Sequence, residues 1–334
     1  MTIHPIDNTT TGLADEVTAF LIDRGLANED TPLDIAPLSG GVSNDVLAVS
    51  GPGVDVVVKR ALPKLRVEAD WYASPQRLIT EAHAIDAAGT LLPHHVPPML
   101  ALDEDRHLMA LARAPRDFTE WKTDLLAGQV APHIGAVLGR LSATLHAESS
   151  DNPVMRNTFA DTDAFLELRV DPFYRWTSAH HHDLAPAIEA TVDHMLATRM
   201  CLVHGDFSPK NILTGADGLW IIDWEVTHIG DPTFDVAFML AHFVCKALHT
   251  PSAAHEFRDL ARAFLDAYLT HPQPRLPELD RDHLLRQIGC LLLARVDGKS
   301  PATYLSPAAR AQALQIARQV LLHPRPTFDL LWRN

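Results

Sequence analysis

Leu202-Val203-His204-Gly205-Asp206-Phe207-Ser208-Pro209-Lys210-Asn211-Ile212-Leu213, followed by Ile221-Ile222-Asp223-Trp224-Glu225, is the stretch from which the rest of the chain is read. Cys201-Leu202-Val203, Ile212-Leu213 and Leu219-Trp220-Ile221-Ile222 are short apolar runs that read as buried strands, the last reached through the turn Gly215-Ala216-Asp217-Gly218. Asp206 then falls in a loop just after one strand, Asn211 just before the next and Asp223 at the end of the third. Rigid strands aim loop side chains well. A carboxylate can orient a hydroxyl and accept its proton. An Asn carbonyl and an Asp carboxylate are hard oxygen ligands of the kind Mg²⁺ prefers. The bland alternative is a hairpin region with turn-forming Asp and Asn.

The order Asp, Asn, Asp, with gaps of five and twelve positions, is that of the phosphoryl-transfer machinery of kinase folds. The segment His204 to Asn211, with Ile222-Asp-Trp-Glu225 and Gly230-Asp-Pro-Thr-Phe-Asp235, resembles the aminoglycoside phosphotransferase family, which includes choline kinase-like relatives. The resemblance implies an α+β, bilobal, protein-kinase-like fold, with a small β-rich N-terminal lobe and a larger, mainly helical C-terminal lobe. It implies Asp206 as catalytic base and Asn211 and Asp223 as Mg²⁺ ligands, with ATP or GTP as co-substrate. His204 would brace the catalytic loop, and Asp235 would be a structural acid bonding its backbone.

Two features upstream suit a nucleotide cradle. Leu38-Ser39-Gly40-Gly41-Val42-Ser43-Asn44 lies between two predicted strands. Glycines there let backbone amides approach phosphates, and Ser39, Ser43 and Asn44 add donors. It is not a Walker A loop, because no Gly-Lys-Ser/Thr follows. Lys59 ends the apolar run Val56-Val57-Val58 and could reach phosphates if a carboxylate held it. Glu81, on a predicted helix Pro75 to Ala88, is the natural partner, with Glu68 as competitor. In the family picture Met109, Ala110 and Leu111, with Ala112, form the hinge that bonds the base.

The chain of 334 residues is long enough for two cored lobes, and 47% hydrophobic residues mark it as globular. Residues 1–112 read as sheet plus helix, the nucleotide-binding lobe. Residues 113–334 read as mostly helical apart from the catalytic strands, the catalytic and substrate-binding lobe. Predicted helices include Leu13 to Gly25, Val130 to Glu148, Pro186 to Thr198, Phe234 to Cys245, Pro277 to Leu293 and Pro307 to Leu322. A net charge of −14 argues against nucleic acid and anionic membranes, and favours a cationic acceptor over an anionic one if it is more than a solvated surface. The N-terminus lacks a signal-peptide pattern, no run approaches ~18 apolar residues, and Cys201, Cys245 and Cys290 lack metal-ligand spacing. These point to a cytoplasmic protein with reduced thiols.

For the acceptor, Leu168 to Trp176 and Arg295 to Pro301 are polar interruptions of the helical pattern. Asp171, Arg175, Arg295 and Lys299 are candidate substrate residues there, and Glu225 is another. Salt-bridged helix ends are the bland reading. His180-His181-His182 point in different directions in a loop and do not form a metal set. His146 reads as a satisfied structural histidine. Asp223 is followed by Trp-Glu, no Ala-Pro-Glu occurs, and Glu225 to Gly230 leaves no room for an activation loop. The expected reaction is transfer of the γ-phosphate to a small-molecule hydroxyl, on an aminoglycoside, an amine-bearing metabolite, a sugar or a hydroxy acid. The competing readings are a nucleotide-binding pseudokinase or scaffold and a protein kinase. The sequence leaves the oligomeric state open.

Overall fold

A computed structural model describes residues 8–38, 43–66, 71–323 and 325–332. Ser39, Gly40 and Gly41 of the expected phosphate cradle lie outside the described residues, as does Glu68.

The N-terminal part is an antiparallel sheet of five strands, β1 Asp34–Pro37, β2 Asn44–Gly51, β3 Val54–Ala61, β4 Met99–Asp103 and β5 Leu108–Ala112, in the order β1-β2-β3-β5-β4. Alternation along β3 sends Val56 and Val58 to one face and Lys59 and Ala61 through the register of the other. Val56 and Val58 pack with Val17, Phe20 and Leu21 of the first helix, Asn8–Asp23. That helix begins earlier than its expected start at Leu13, and Gly25 at φ +70° turns the chain away from its end. Ala61 belongs with the helix Arg77–Leu91 to the main core. This second helix runs through Gly89, where a stop was expected, and ends beside Pro93, which cannot continue it.

The main core continues unbroken into the C-terminal helices Pro132–Ser149, Ala185–Ala197, Thr233–His249, Ala254–Leu269, Arg281–Asp297 and Pro307–Leu322. Helix starts carry their own chemistry: Asp280 accepts the Asp282 and His283 amides, and Ser306 accepts that of Ala309. Set among these helices are two small sheets. β7 Cys201–Val203 pairs with β10 His228–Gly230, and β6 Thr119–Glu120 pairs with β8 Ile212–Gly215, itself paired with β9 Gly218–Ile221.

The stretch expected to interrupt the helical pattern stays helical, as a π-helix over Leu166–Arg175 with Pro172 inside it. Pro172 has no amide to give, and its carbonyl accepts the Lys299 amide at 3.2 Å. The two polar stretches therefore meet each other. Trp176 Nε1 donates to the Asp297 carbonyl at 3.1 Å, and the Lys299 ammonium lies 5.1 Å from the Trp176 ring centre. Cys201, Cys245 and Cys290 are buried free thiols, and among the described residues no helix is long and apolar enough to cross a membrane.

Candidate active site

The loop between β7 and β8 carries Asp206, and the strands on either side hold it still. Gly205 sits at φ +76°, and a Cβ there would stand 2.7 Å from the Val226 carbonyl oxygen, so the turn requires glycine. Asp235, buried at the start of the helix Thr233–His249, accepts the His204 amide at 2.8 Å and the Gly205 amide at 2.9 Å. His146 bonds the same carboxylate at 3.3 Å and the Tyr268 hydroxyl at 2.9 Å through its other nitrogen. The Asp235 carboxyl is held below its usual range; its burial opposes this, and the His146 bond and charge with the loop amides outweigh it. His204 accepts the Asp206 amide at Nδ1 (3.1 Å) and donates from Nε2 to the Ile222 carbonyl (3.2 Å). It thereby ties the Asp206 loop to the strand that delivers Asp223.

Asp206 is buried and multiply held. Asn211 Nδ2 donates to its Oδ2 at 2.7 Å and to its backbone carbonyl at 2.9 Å. Lys210 Nζ lies 2.9 Å from Oδ2, and an Arg169 nitrogen lies 3.0 Å from Oδ1. Arg169 comes from the π-helix and also donates to the carbonyls of Gly205 (2.8 Å) and Leu168 (2.6 Å). Its guanidinium stands over the Phe173 and Phe238 rings at 5.6 and 5.8 Å. With its amide nitrogen spent on Asp206, Asn211 keeps its carbonyl oxygen for a cation.

Across the cleft, Lys59 Nζ lies 2.6 Å from Glu81 and 2.9 Å from Asp223. Burial alone would lower the Lys59 ammonium; Asp223 and then Glu81 overturn that, and the net shift is upward. The Asp223 carboxyl moves down: burial opposes this, but Lys59 and then Lys210 prevail. At Glu81 burial wins over Lys59 and pushes the carboxyl up. Asp223 has φ +70°, a strained backbone for a non-glycine residue, of the kind that collects at functional sites.

Glu225 is also buried, and it joins the two halves. Its Oε2 accepts from Asn44 of β2 at 2.9 Å and from Arg77 Nε at 3.1 Å. Arg77, one turn before Glu81 on the same helix, further donates to the carbonyls of Ala73 (3.0 Å), Leu62 (2.8 Å) and Ser43. The candidate substrate role of Glu225 therefore meets a carboxylate already engaged by the hairpin and the helix. Glu81, Asp223 and Glu225 bring carboxylate oxygens within 4.8 Å of one another, with Lys59 and Arg77 against them.

Met109, Ala110 and Leu111 lie inside β5, paired with β3 on one side and β4 on the other, and the Ala112 amide donates to the Pro98 carbonyl. The ladder ends there, so the first backbone outside the sheet is Arg113. Asp171 and Arg175 pair with each other at 2.6 Å with more than half of each side chain exposed, and neither contacts Asp206. Arg295 lies in the last turn of the helix Arg281–Asp297, and Lys299 lies two residues beyond its end. Arg77 and Arg169 were not among the expected residues; a basic residue in a helical pattern reads as solvated, and no local signal marks the exceptions.

Oxygen donors fit the divalent metal that a kinase fold implies: the Asn211 carbonyl and the Asp223 carboxylate suit a hard cation. The buried Asn44 Oδ1 and Ser208 Oγ have no partner among the described residues, which leaves polar atoms open on both sides of the cleft.

Solved structures share the fold. A choline kinase from Cryptosporidium parvum Iowa II matches with a TM-score of 0.56 at 13% identity, covering 92% of this chain and 98% of that one. The amicoumacin kinase hAmiN, in complex with AMP-PNP, Ca²⁺ and Ami, matches with a TM-score of 0.54 at 15% identity, over 97% and 99% of the two chains. A choline/ethanolamine kinase family protein from Mesorhizobium loti gives 0.51 at 17% identity, over 96% and 98%. A search of curated proteins returns no match. The model of the phosphotransferase enzyme family matches residues 34–268, a span that holds Lys59, Glu81, Asp206, Asn211, Asp223 and Asp235, and the chain belongs to that family, with the α+β fold of the kinase structures above.

Proposed function

We propose that the protein transfers the γ-phosphate of ATP, with Mg²⁺, to a hydroxyl of a small molecule. The observation that carries this reading is the pairing of Lys59 with both Glu81 and Asp223, across the cleft from an Asp206 fixed by Asn211. Lys59 would hold nucleotide phosphates, and Asn211 and Asp223 would hold the metal. Bound there, the metal nucleotide supplies the transferable phosphoryl group and neutralises its charge.

The remaining work falls to the chain's own residues. Asp206 orients the acceptor hydroxyl and takes its proton at a carboxylate oxygen. Asn211, Arg169 and Lys210 fix the plane of that carboxylate, and Asp235 and His204 fix the loop beneath it. Phe207 and Trp224, which follow Asp206 and Asp223 in the chain, are buried and give the two carboxylates apolar neighbours. The AMP-PNP complex of hAmiN favours an adenine nucleotide and lends nothing to GTP. Identities of 13 to 17% to the choline and amicoumacin kinases speak to fold alone, so the acceptor is read from this chain's own residues.

The test is Mg²⁺-dependent ADP release against a panel of amino alcohols, sugars, aminoglycosides and hydroxy acids. Asp206→Ala should lower turnover roughly 10²-fold to 10⁴-fold, with ATP affinity retained. Near-normal turnover in that variant removes Asp206 as the base. ATP binding with no acceptor-dependent release favours a nucleotide-binding protein without transfer activity.

A further inference from the structure

The helix Thr233–His249 carries two buried polar residues, His242 and Lys246, that the phosphoryl-transfer residues do not use. Asp235 bonds the catalytic loop; Phe238, His242 and Lys246 follow at successive turns. Phe238 lies under the Arg169 guanidinium, which touches Asp206, and its ring meets that of His242 at 5.1 Å. This row of residues therefore starts beneath the candidate base and leads away from it.

Lys246 is fully buried, and its Nζ has no hydrogen-bond partner among the described residues. His242 Nδ1, Arg295 Nε and the Tyr304 hydroxyl are likewise buried and unpartnered. Lys246 Nζ stands 5.7 Å from the Tyr304 ring centre, His242 lies one turn before Lys246 on the same helix, and the charges of Lys246 and Arg295 both act on His242. Arg295 is held by the Ser300 carbonyl at 2.6 Å through another nitrogen, which leaves Nε unspent. Among the described residues no carboxylate forms an ion pair with Lys246 or Arg295. Burial, with Arg295 and Lys122 adding to it and Cys245 and Glu120 opposing it, pushes the Lys246 ammonium down to about 7, and burial followed by Lys246 pushes His242 well down. This interior holds two basic side chains, an imidazole and a phenol hydroxyl, each with a buried polar atom that has no partner among the described residues. Unpaired buried polar groups are costly, and an anion would supply the acceptor oxygens that these donors lack.

We infer that the acceptor carries an anionic group, a carboxylate or a phosphate, which seats among His242, Lys246, Arg295 and Tyr304 while its hydroxyl meets Asp206. This rests on the kinase reading above for the acceptor's role, though not for the anion site itself. The rise from Phe238 to Lys246 is about 12 Å, and a lysine side chain leans back toward the helix N-terminus. The spacing suits an acceptor with several bonds between hydroxyl and anion. It reverses the expectation of a cationic acceptor drawn from the net charge.

The test measures anion binding without nucleotide or transfer. In full-length protein carrying Lys59→Ala, which removes the nucleotide-phosphate lysine, malonate and inorganic phosphate are titrated by calorimetry and thermal shift. One anion should bind saturably, and adding Lys246→Met should weaken it at least tenfold. Lys246→Met should also raise Tm in anion-free buffer, because an unpaired buried amine is removed, so loss of binding cannot be put down to misfolding. Malonate selectivity assigns a carboxylate and phosphate selectivity a phosphate. Unchanged anion affinity in Lys246→Met, or no binding of either anion at millimolar concentration, overturns the site and leaves Lys246 an interior amine. Failure of the kinase reading would show instead as absent ADP release with this anion binding intact. With transfer established, a hydroxy acid should outperform its primary amide in the protein with Lys59 intact, and Lys246→Met should erase that preference in KM.

Discussion

The His228 ring lies nearly flat against Phe165, with centroids 4.1 Å apart, and its Nδ1 donates to the Val226 carbonyl at 3.0 Å. Burial, partly offset by that bond, lowers its pKa from 6.5 to about 4. Above pH 6.5 the ring is neutral in folded and unfolded chains alike and has no effect on stability. As pH falls below 6.5 the unfolded chain takes up the proton first, so stability declines until pH reaches about 4. The loss amounts to about 3 kcal/mol. Thermal melts between pH 7 and pH 4 should show a steeper fall in Tm for the native protein than for His228→Gln; parallel profiles would assign the acid sensitivity elsewhere. At this scale sequence and structure diverge most. Asp206, Asn211 and Asp223 are legible because their chemistry sits within one short stretch. Arg77, Arg169 and Lys246 are not, because what distinguishes each is a partner, or the lack of one, far away along the chain. Arg77 finds Glu225 across 148 positions, and Arg169 finds Gly205 across 36.

Helices and strands were easier to read, since apolar periodicity is local. The helix expected over Pro307 to Leu322 has those bounds, and the apolar run Val56-Val57-Val58 with Lys59 lies inside β3. The misreadings follow the rules that were applied: Gly89 was given too much weight as a stop, and the polar run Leu168 to Trp176 was taken as an interruption where the helix widens instead. Sequence also hides how closely elements approach. Helices Pro132–Ser149 and Ala254–Leu269 meet at Gly135 and Gly139. A Cβ on Gly139 would lie 2.2 Å from the Phe264 carbonyl oxygen, and one on Gly135 would lie 2.7 Å from a Leu260 methyl carbon and 2.8 Å from its carbonyl oxygen. Backbone cannot yield as a side-chain end can. Gly139→Ala should therefore destabilise the protein by about 1–3 kcal/mol, although alanine is the better helix former. Urea unfolding decides the sign, and a stabilised variant would mean that the helices slide apart at little cost. The same helix carries His146 to Asp235, so the variant should also lower turnover.

Over the whole molecule, the fold class and the residues of the candidate site were legible, while the join between the two halves was not. That join is polar: Asn44 and Arg77 meet Glu225, and Lys59 meets Asp223. A residue in each case waits for a partner more than 140 positions away, which no pattern within a window of residues can show. The remaining consequence concerns approach from solution. The exterior is acidic in sum, with 42 Asp and Glu against 28 Lys and Arg, whereas the interior groups His242, Lys246 and Arg295 are basic. An acceptor bearing a negative charge must cross a repelling field before it meets an attracting interior, and a positive one meets the opposite sequence. Dissolved salt shortens the reach of the outer field to roughly 8–10 Å at 0.1–0.15 M and barely touches the inner one. With ATP saturating, raising sodium chloride from 20 to 150 mM should speed capture of an anionic acceptor, seen as a higher kcat/KM, and should slow capture of a cationic one. The direction of that response reports the acceptor's charge before its structure is known.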